Sequence, residues 1–401
     1  MSWRSVFRIL WISQALSQFG TSVSSLAYPL LLLDTTGSAM QAGLVGTVVA
    51  ATGLLTRLPA GAVSDRRPAR GLLLAADGAR AALLASLSVC VASGVAATTL
   101  VLVVVALEVV AGSVFAPAEF RLIRAITPQD ERALAVGRMQ SRAQLAGLLG
   151  PLAGGALYGV APWLPFAVDA ASYLVSLVLL LAVPPAHGRS VAGRAAGGAW
   201  RWLVRERFLF ASALWVAALT ATFGAVGLIV IVLAQERSAT STEIGLMYTI
   251  SGFGGLVGAL LTPAIQRRLR PAVVFRSAAS VDTLAVVALL PLHSPVLIGV
   301  CGAVAFFTAP VVSASLFGEL SRRVPDELVG RVQASVALLV GALAPIAPAA
   351  VGVVVDRLGA TAGTVGCAVS FGFLTVVSFV LPAFRAPAAA AQPPRMGGDR
   401  A

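Results

Sequence analysis

QAGLVGTVVAATGLLTRLPAGAVSDRRPAR, residues 41–70, is an apolar run that ends abruptly in a basic turn. From Gln41 to Val63 the only charge is Arg57; then Asp65, Arg66, Arg67 and Arg70 arrive together. A second apolar run, 71–92, follows at once. The hydrocarbon core of a bilayer is about 30 Å thick, and a helix needs roughly 20 apolar residues to cross it. The stretch therefore reads as two membrane-spanning helices joined by a short charged loop.

The same pattern fills the chain. Further runs lie near 9–33, 97–117, 138–159, 163–183, 208–233, 243–263, 273–291, 295–318, 331–354 and 361–383, so the count is twelve. The 401 residues are 58% hydrophobic and 11% charged, with a mean hydropathy of +0.90. Soluble domains are about 45–50% apolar and about 25% charged, so a soluble fold is excluded. The net charge of +12 does not point to nucleic acid, because the basic residues sit in short loops between apolar runs.

All 29 basic residues are arginine, and 24 fall on one side if the N-terminus is inside. They are Arg4 and Arg8; Arg66, Arg67 and Arg70; Arg121, Arg124, Arg132 and Arg138; Arg189, Arg194, Arg201, Arg205 and Arg207; Arg267, Arg268, Arg270 and Arg276; Arg322, Arg323 and Arg331; and Arg385, Arg395 and Arg400. Arg237 and Arg357 fall in outward loops, and Arg57, Arg80 and Arg142 within helices. Basic loops resist translocation, so the expectation is a multi-pass protein of a bacterial cytoplasmic membrane with both termini in the cytoplasm. Arg4 and Arg8 precede a run with no small-residue cleavage site, which predicts a retained first helix.

The halves echo each other. Gly43-Leu44, Thr47, Gly53-Leu54 and Asp65-Arg66 match Gly245-Leu246, Thr249, Gly255-Leu256 and Arg267-Arg268 at a constant offset, and Gly137-Arg138 matches Gly330-Arg331. The pattern predicts an all-α membrane protein with twelve transmembrane helices in two pseudo-symmetric six-helix bundles. The expected units are residues 1–184, a cytoplasmic linker over 185–206, residues 207–384, and a disordered tail over 385–401.

Residues 1–384 resemble the major facilitator superfamily. The carrier of the resemblance is Gly61-Ala-Val-Ser-Asp65-Arg66-Arg67-Pro68-Ala69-Arg70, similar to the superfamily's loop signature, with Pro68 where a second glycine is usual. In the second half Arg267 stands where the aspartate would be. Ala146-Gly-Leu-Leu-Gly150-Pro151-Leu-Ala-Gly154-Gly155 is similar to the glycine-proline signature of superfamily exporters, with Ala146 at its first glycine position. Small residues permit close helix packing and proline removes a backbone donor; the alternative to an exporter signature is an ordinary packing face. Tyr28-Pro29-Leu30 through Ser38, Asp77-Gly-Ala-Arg80-Ala81 and Phe166-Ala-Val-Asp169-Ala-Ala-Ser172-Tyr173 resemble the drug- and siderophore-efflux branch that includes macrolide carriers and enterobactin exporters. The resemblance implies that Gly61, Asp65, Arg66, Arg67 and Arg70 form a cytoplasmic gate. Asp65 would pack on the positive N-terminus of the eleventh helix near Gly330-Arg331, with Arg121 or Arg142 completing the network.

Ionisable residues inside a bilayer are functional candidates by default. Glu108 lies near the middle of the fourth helix with no basic residue within two turns. Removing a carboxylate from water penalises its charged form, a property that proton coupling uses; the alternative is a permanently protonated acid bonded to a neighbouring helix. Asp169 heads a face with Ser172, Tyr173 and Ser176, lining a cavity or bonding to the fifth helix. Asp282 lies near the repeat position of Asp77 but lacks the arginine three residues on. These three are the proton-coupling candidates. Asp77 and Arg80, three residues apart, read as a mutually neutralising structural pair, and Asp34 as a loop cap. Gln14, Ser17, Gln18, Thr21 and Ser25 give the first helix one polar face, which lines the substrate path or bonds to another helix. Phe115, Phe223 and Phe307 are candidate cavity wall.

The expected function is secondary active transport by alternating access: a proton-coupled exporter of an amphipathic small molecule such as a drug, siderophore or secondary metabolite. The partners are protons, a small-molecule substrate and the lipid bilayer, with no nucleic acid, and the protein acts as a monomer. An importer of a small polar solute and a transport-inactive sensor or partner protein are the alternatives. Cys90, Cys301 and Cys367 fall singly in apolar runs, and His187 and His293 in loops. No metal, cofactor or enzymatic chemistry is expected, and no nucleotide-binding loop occurs.

Overall fold

A computed structural model describes residues 3–184, 197–325 and 328–381. The predicted tail over 385–401, and Arg189, Arg194 and His187 of the linker, lie outside the described residues.

The first half consists of α1 (Trp3–Thr36), α2 (Ala39–Arg66), α3 (Ala69–Ala92), α4 (Thr98–Ile126), α5 (Arg132–Val160) and α6 (Leu164–Leu181). After the short α7 (Gly197–Arg205), the second half holds α8 (Arg207–Glu236), α9 (Ser241–Arg268), α10 (Pro271–Ala288) and α11 (Pro295–Arg323). It closes with α12 (Val329–Gly341), α13 (Ile346–Leu358) and α14 (Ala360–Val380). Lipid offers no partner for a peptide group, so helices, which satisfy their own backbone, are the form this composition takes. Eleven described spans are long and apolar enough to cross a bilayer, α12 and α13 counting together. The twelfth is α1, 34 residues long, whose polar face dilutes its hydropathy.

Two features depart from the sequence reading. The run 331–354 is interrupted between α12 and α13, because Pro345 has no N–H and its ring would meet the Gly341 carbonyl. The linker contains α7, which buries Ala199 and Leu203 and exposes Arg201 and Arg205. It packs on α8 and α12.

Two seams join the halves, and both gather at the arginine-poor end of the bundle. In the first, α5 meets α9: a Cβ on Gly155 would sit 2.1 Å from the Ser241 carbonyl oxygen, and one on Gly245 would sit 2.4 Å from that of Pro151. Thr249 donates to the Leu148 carbonyl at 2.9 Å. In the second, α2 meets α13: a Cβ on Gly43 would fall 2.3 Å from the Pro348 carbonyl oxygen, and one on Gly352 would fall 2.6 Å from that of Ala39. Gly154 likewise lets α5 lie against the Val23 carbonyl of α1, and Gly150 faces Ser22. Gly150, Gly154 and Gly155 of the 146–155 motif are thus sites of backbone approach, with Pro151 among them, whereas a Cβ on Gly147 would meet nothing within 4 Å.

Overpacking a close contact costs about 1–3 kcal/mol. Gly155→Val is therefore expected to lower the melting temperature of the detergent-purified protein by several degrees. Gly61→Ala, inside α2 with nothing within 4 Å of the added Cβ, is expected to leave it unchanged or slightly raised; an equal fall in both variants would mean that the α5–α9 seam is not what the valine disturbs.

Candidate functional site

The polar face of α1 meets polar groups on three other helices. Its residues recur at three- and four-residue spacing and so share one side. Gln14 donates to Ser176 at 3.1 Å, and Ser176 donates to Asp77 at 2.6 Å. Thr21 and Tyr173 share a hydrogen bond of 2.6 Å. Ser24 donates to Asp169, and Tyr28 donates to Glu108 at 2.6 Å. Gln18 accepts from Arg142 at 3.2 Å. Gln14 and Ser17 are buried, while Ser25 is exposed and bonds within its own helix to Ser22. For Gln14, Gln18 and Thr21 the geometry is a bond to another helix.

Glu108 is buried and receives a second hydroxyl, Tyr173, at 3.3 Å. Tyr173 therefore bridges Thr21 and Glu108, accepting from Thr21 when it donates to Glu108. Asp169, fully buried, reaches α1 because Gly20 carries no side chain: a Cβ there would lie 2.5 Å from Asp169 Oδ1 and 2.3 Å from Ser172 Oγ. Ser172 also donates to Asp169 at 3.3 Å. The acid that was expected to line a cavity or to bond to the fifth helix bonds to the first instead.

Asp77 and Arg80 do not form the expected direct pair. Asp77 takes its bond from Ser176 and leaves Oδ1 unpartnered. Arg80 turns toward α4, where its Nε donates to the Glu108 carbonyl at 3.4 Å. Its guanidinium lies 5.1 Å from the Tyr173 ring and 5.8 Å from that of Phe115. Gly112 makes the room, since a Cβ there would fall 1.8 Å from an Arg80 nitrogen. Arg80 interacts electrostatically with Asp77, Glu108 and Asp169 together, yet among the described residues it forms no ion pair. The cluster therefore sets three buried carboxyl groups against one half-buried guanidinium.

A second buried unit lies closer to the arginine-rich end. Glu119 of α4 and Arg142 of α5 pair at 2.5 Å, both nearly inaccessible. This overturns the placing of Arg142 beside Asp65. Asp65 instead pairs at 3.9 Å with Arg121, which also donates to the Arg67 carbonyl at 3.0 Å. Arg70 donates to the carbonyls of Leu180 at 3.3 Å and Leu181 at 2.8 Å. Gly61 and the exposed Arg66 lie in the last turns of α2 and not in the loop, and a Cβ on Gly330 would meet nothing within 4 Å. Asp34 is no loop cap: Tyr158 donates to it at 2.7 Å, and Gln235 of the second half donates to it at 2.9 Å.

The second half is plainer. Asp282 is fully buried and accepts only from Thr308 among the described residues, at 3.0 and 3.2 Å. Thr308 and Phe307 line an apolar crevice of about 530 Å³ between α9, α10 and α11. Phe223 packs on Phe306 and Phe371, while Phe115 lies under Arg80. Among the described residues there is no group of His, Cys, Asp and Glu able to hold a metal, and the cysteines are free.

Sequence reasoning passed over Glu119, Ser24 and the role of Gly112. Glu119 lies eleven residues beyond Glu108, three turns along the same helical face, and that spacing was the available signal. Ser24 continues the Thr21 stripe by three residues.

A family model described as Major Facilitator Superfamily matches residues 10–348. No curated protein sequence matches the chain significantly. Among solved structures, a mutant form of the nucleoside transporter NupG superposes with a TM-score of 0.80 at 13% identity, covering 95% of this chain and 99% of that one. A bacterial homologue of the lysosomal transporter Spinster, inward-facing and unoccupied, gives 0.72 at 16% identity over 95% and 96% of the two chains. A bacterial homologue of the iron transporter ferroportin, also inward-facing, gives 0.68 at 16% identity over 94% and 100%.

Breaking a buried ion pair costs about 3–5 kcal/mol, because the remaining charge is stranded. Glu119→Leu and Arg142→Met are each expected to lower thermal stability markedly, and the double variant to recover most of the loss. Additive losses in the double variant would show that the two charges do not act as a unit.

Proposed function

Because the chain belongs to the Major Facilitator Superfamily, and so is a multi-pass membrane transporter and not an enzyme, we propose that it exports an amphipathic small molecule in exchange for protons. The observation that carries this reading is the buried cluster of Glu108, Asp169 and Asp77 around an Arg80 that pairs with none of them. A group meant only to stabilise the fold would have its counter-charge in contact. Here the carboxyl groups of Glu108 and Asp169 are held by hydroxyls from Tyr28, Tyr173 and Ser24, which accommodate either protonation state by rotating. Glu108 is the principal proton carrier, Asp169 its neighbour in the same exchange, and Asp282 a separate candidate in the second half.

Arginine sorting supports a cytoplasmic arginine-rich end in a bacterial cell, with the seams at Gly155 and Gly352 then on the outer side. The molecule then has its outer end shut, and Asp65 is held within its own half by Arg121. In the opposite state Asp65 would move to the start of α12. The export direction is supported by the resemblance of residues 146–155 to the exporter signature and by their position where α1, α5 and α9 approach most closely. The resemblance to the drug- and siderophore-efflux branch supports an amphipathic cargo. Proton entry from outside draws on the membrane potential, worth about 2.3 kcal/mol per charge per 100 mV.

The test is cargo-dependent proton flux in proteoliposomes, using a panel of amphipathic compounds with wild type and Glu108→Gln. Cargo efflux coupled to proton entry is expected in wild type. In the variant, proton flux should fall to background while cargo still shifts the melting temperature. Undiminished coupled flux in Glu108→Gln would remove Glu108 from the mechanism, and cargo uptake driven by the same gradient would reverse the direction.

A further inference from the structure

The α2–α13 seam ends in a charged contact between the halves. Asp356, in the last turn of α13, faces the N-terminus of α2. Its Oδ1 accepts from the Ala39 amide at 2.7 Å, and its Oδ2 from the Met40 amide at 3.1 Å and the Ser38 hydroxyl at 2.7 Å. The first amides of a helix have no partner within it, and they form the positive end of its dipole. Ser38 caps α2 within its own half by accepting from the Gln41 amide at 3.2 Å. The amides of Ala39 and Met40 are satisfied from the other half.

Asp356 also continues the contact ridge of α13. Pro348, Gly352 and Asp356 recur every four residues, which places them on one helical face. Pro348 lies against Gly43 and Gly46, and Gly352 against Ala39 and Met40. Any movement that separates α13 from α2 at this end must strip the amides from Asp356.

We propose that Asp356 is a positioning residue of the transport cycle, whose carboxylate latches the arginine-poor end through the α2 N-terminus and must release before that end opens. The proposal rests on the alternating-access reading. It also gives the helix pair a reciprocal form. Asp65 stands at the C-terminal end of α2 and would meet the start of α12 in the opposite state, while Asp356 stands at the C-terminal end of α13, so α2 and the interrupted α12–α13 span each carry a carboxylate for the other's N-terminal end. In this conformation the Asp356 contact is made and Asp65 is held by Arg121.

The test uses spin-label distances in the full chain, with the three native cysteines replaced. One label pair, at Ser93 and His293, reports the arginine-poor end; the other, at Gln129 and Arg270, reports the arginine-rich end. Asp356→Ala should raise the population with a long Ser93–His293 distance by roughly fivefold and shorten the Gln129–Arg270 distance. Asp356→Glu should restore the wild-type distribution in part. Asp356→Asn keeps the size and one acceptor oxygen while removing the charge. It should shift the distances in the same direction as Asp356→Ala, and it gives the reading if the alanine variant fails to fold. Unchanged distances with a lowered melting temperature would overturn the proposal and leave Asp356 an ordinary helix cap. The measurement needs neither cargo nor a proton gradient, so its failure is distinguishable from failure of the export reading.

Discussion

A polar side chain carried into hydrocarbon has to be satisfied by the protein itself, and in the first half of this molecule α1 meets most of that demand. One face of a single helix supplies Gln14 to Ser176, Gln18 to Arg142, Thr21 to Tyr173, Ser24 to Asp169 and Tyr28 to Glu108. These bonds tie α4, α5 and α6 to one axis. Glu108 and Asp169 are therefore placed by α1, although neither lies on it. Rotating α1 by one residue would move every one of these polar groups about 100° away from its partner.

The other organising feature is where backbones touch. Gly155 and Gly245 on one side, and Gly43 and Gly352 on the other, bring the halves together at one end of the bundle. Glycine permits this because a carbonyl oxygen occupies the space a side chain would need. Elsewhere Gly112 serves a different purpose, opening a slot for Arg80 in the middle of α4. The same residue type thus sets the spacing of helices in one place and the position of a buried charge in another.

The sequence made the architecture legible because each span is a local matter of length and hydropathy, and the arginines mark alternate turns. It also exposed the polar stripe of α1 and the buried acids, since helical spacing reveals which residues share a face. What it did not reveal is which face meets which. Arg80 looked like the partner of Asp77 because the two are three residues apart, yet it leans across to α4. Arg142 looked like part of the loop network because both lie near the same end of the bundle, yet it turns inward to Glu119. Asp34 looked like a cap and instead joins Tyr158 to Gln235. Each of these depends on the rotation of one helix against another, which no single-helix pattern encodes. The interruption at Pro345 was legible in principle, and it was masked by unbroken hydropathy on both sides.

The polar face of α1 has a consequence for how the molecule is made. Segments leave the translocation machinery for lipid according to their hydropathy, and α1 falls short of the level that the eleven other spans reach. Its partners on α4, α5 and α6 are synthesised after it. During that interval its glutamine, serine and threonine side chains have no helix to bond. The polar network of this half is therefore assembled only after α4, α5 and α6 have joined α1, and it is complete only when α6 has arrived.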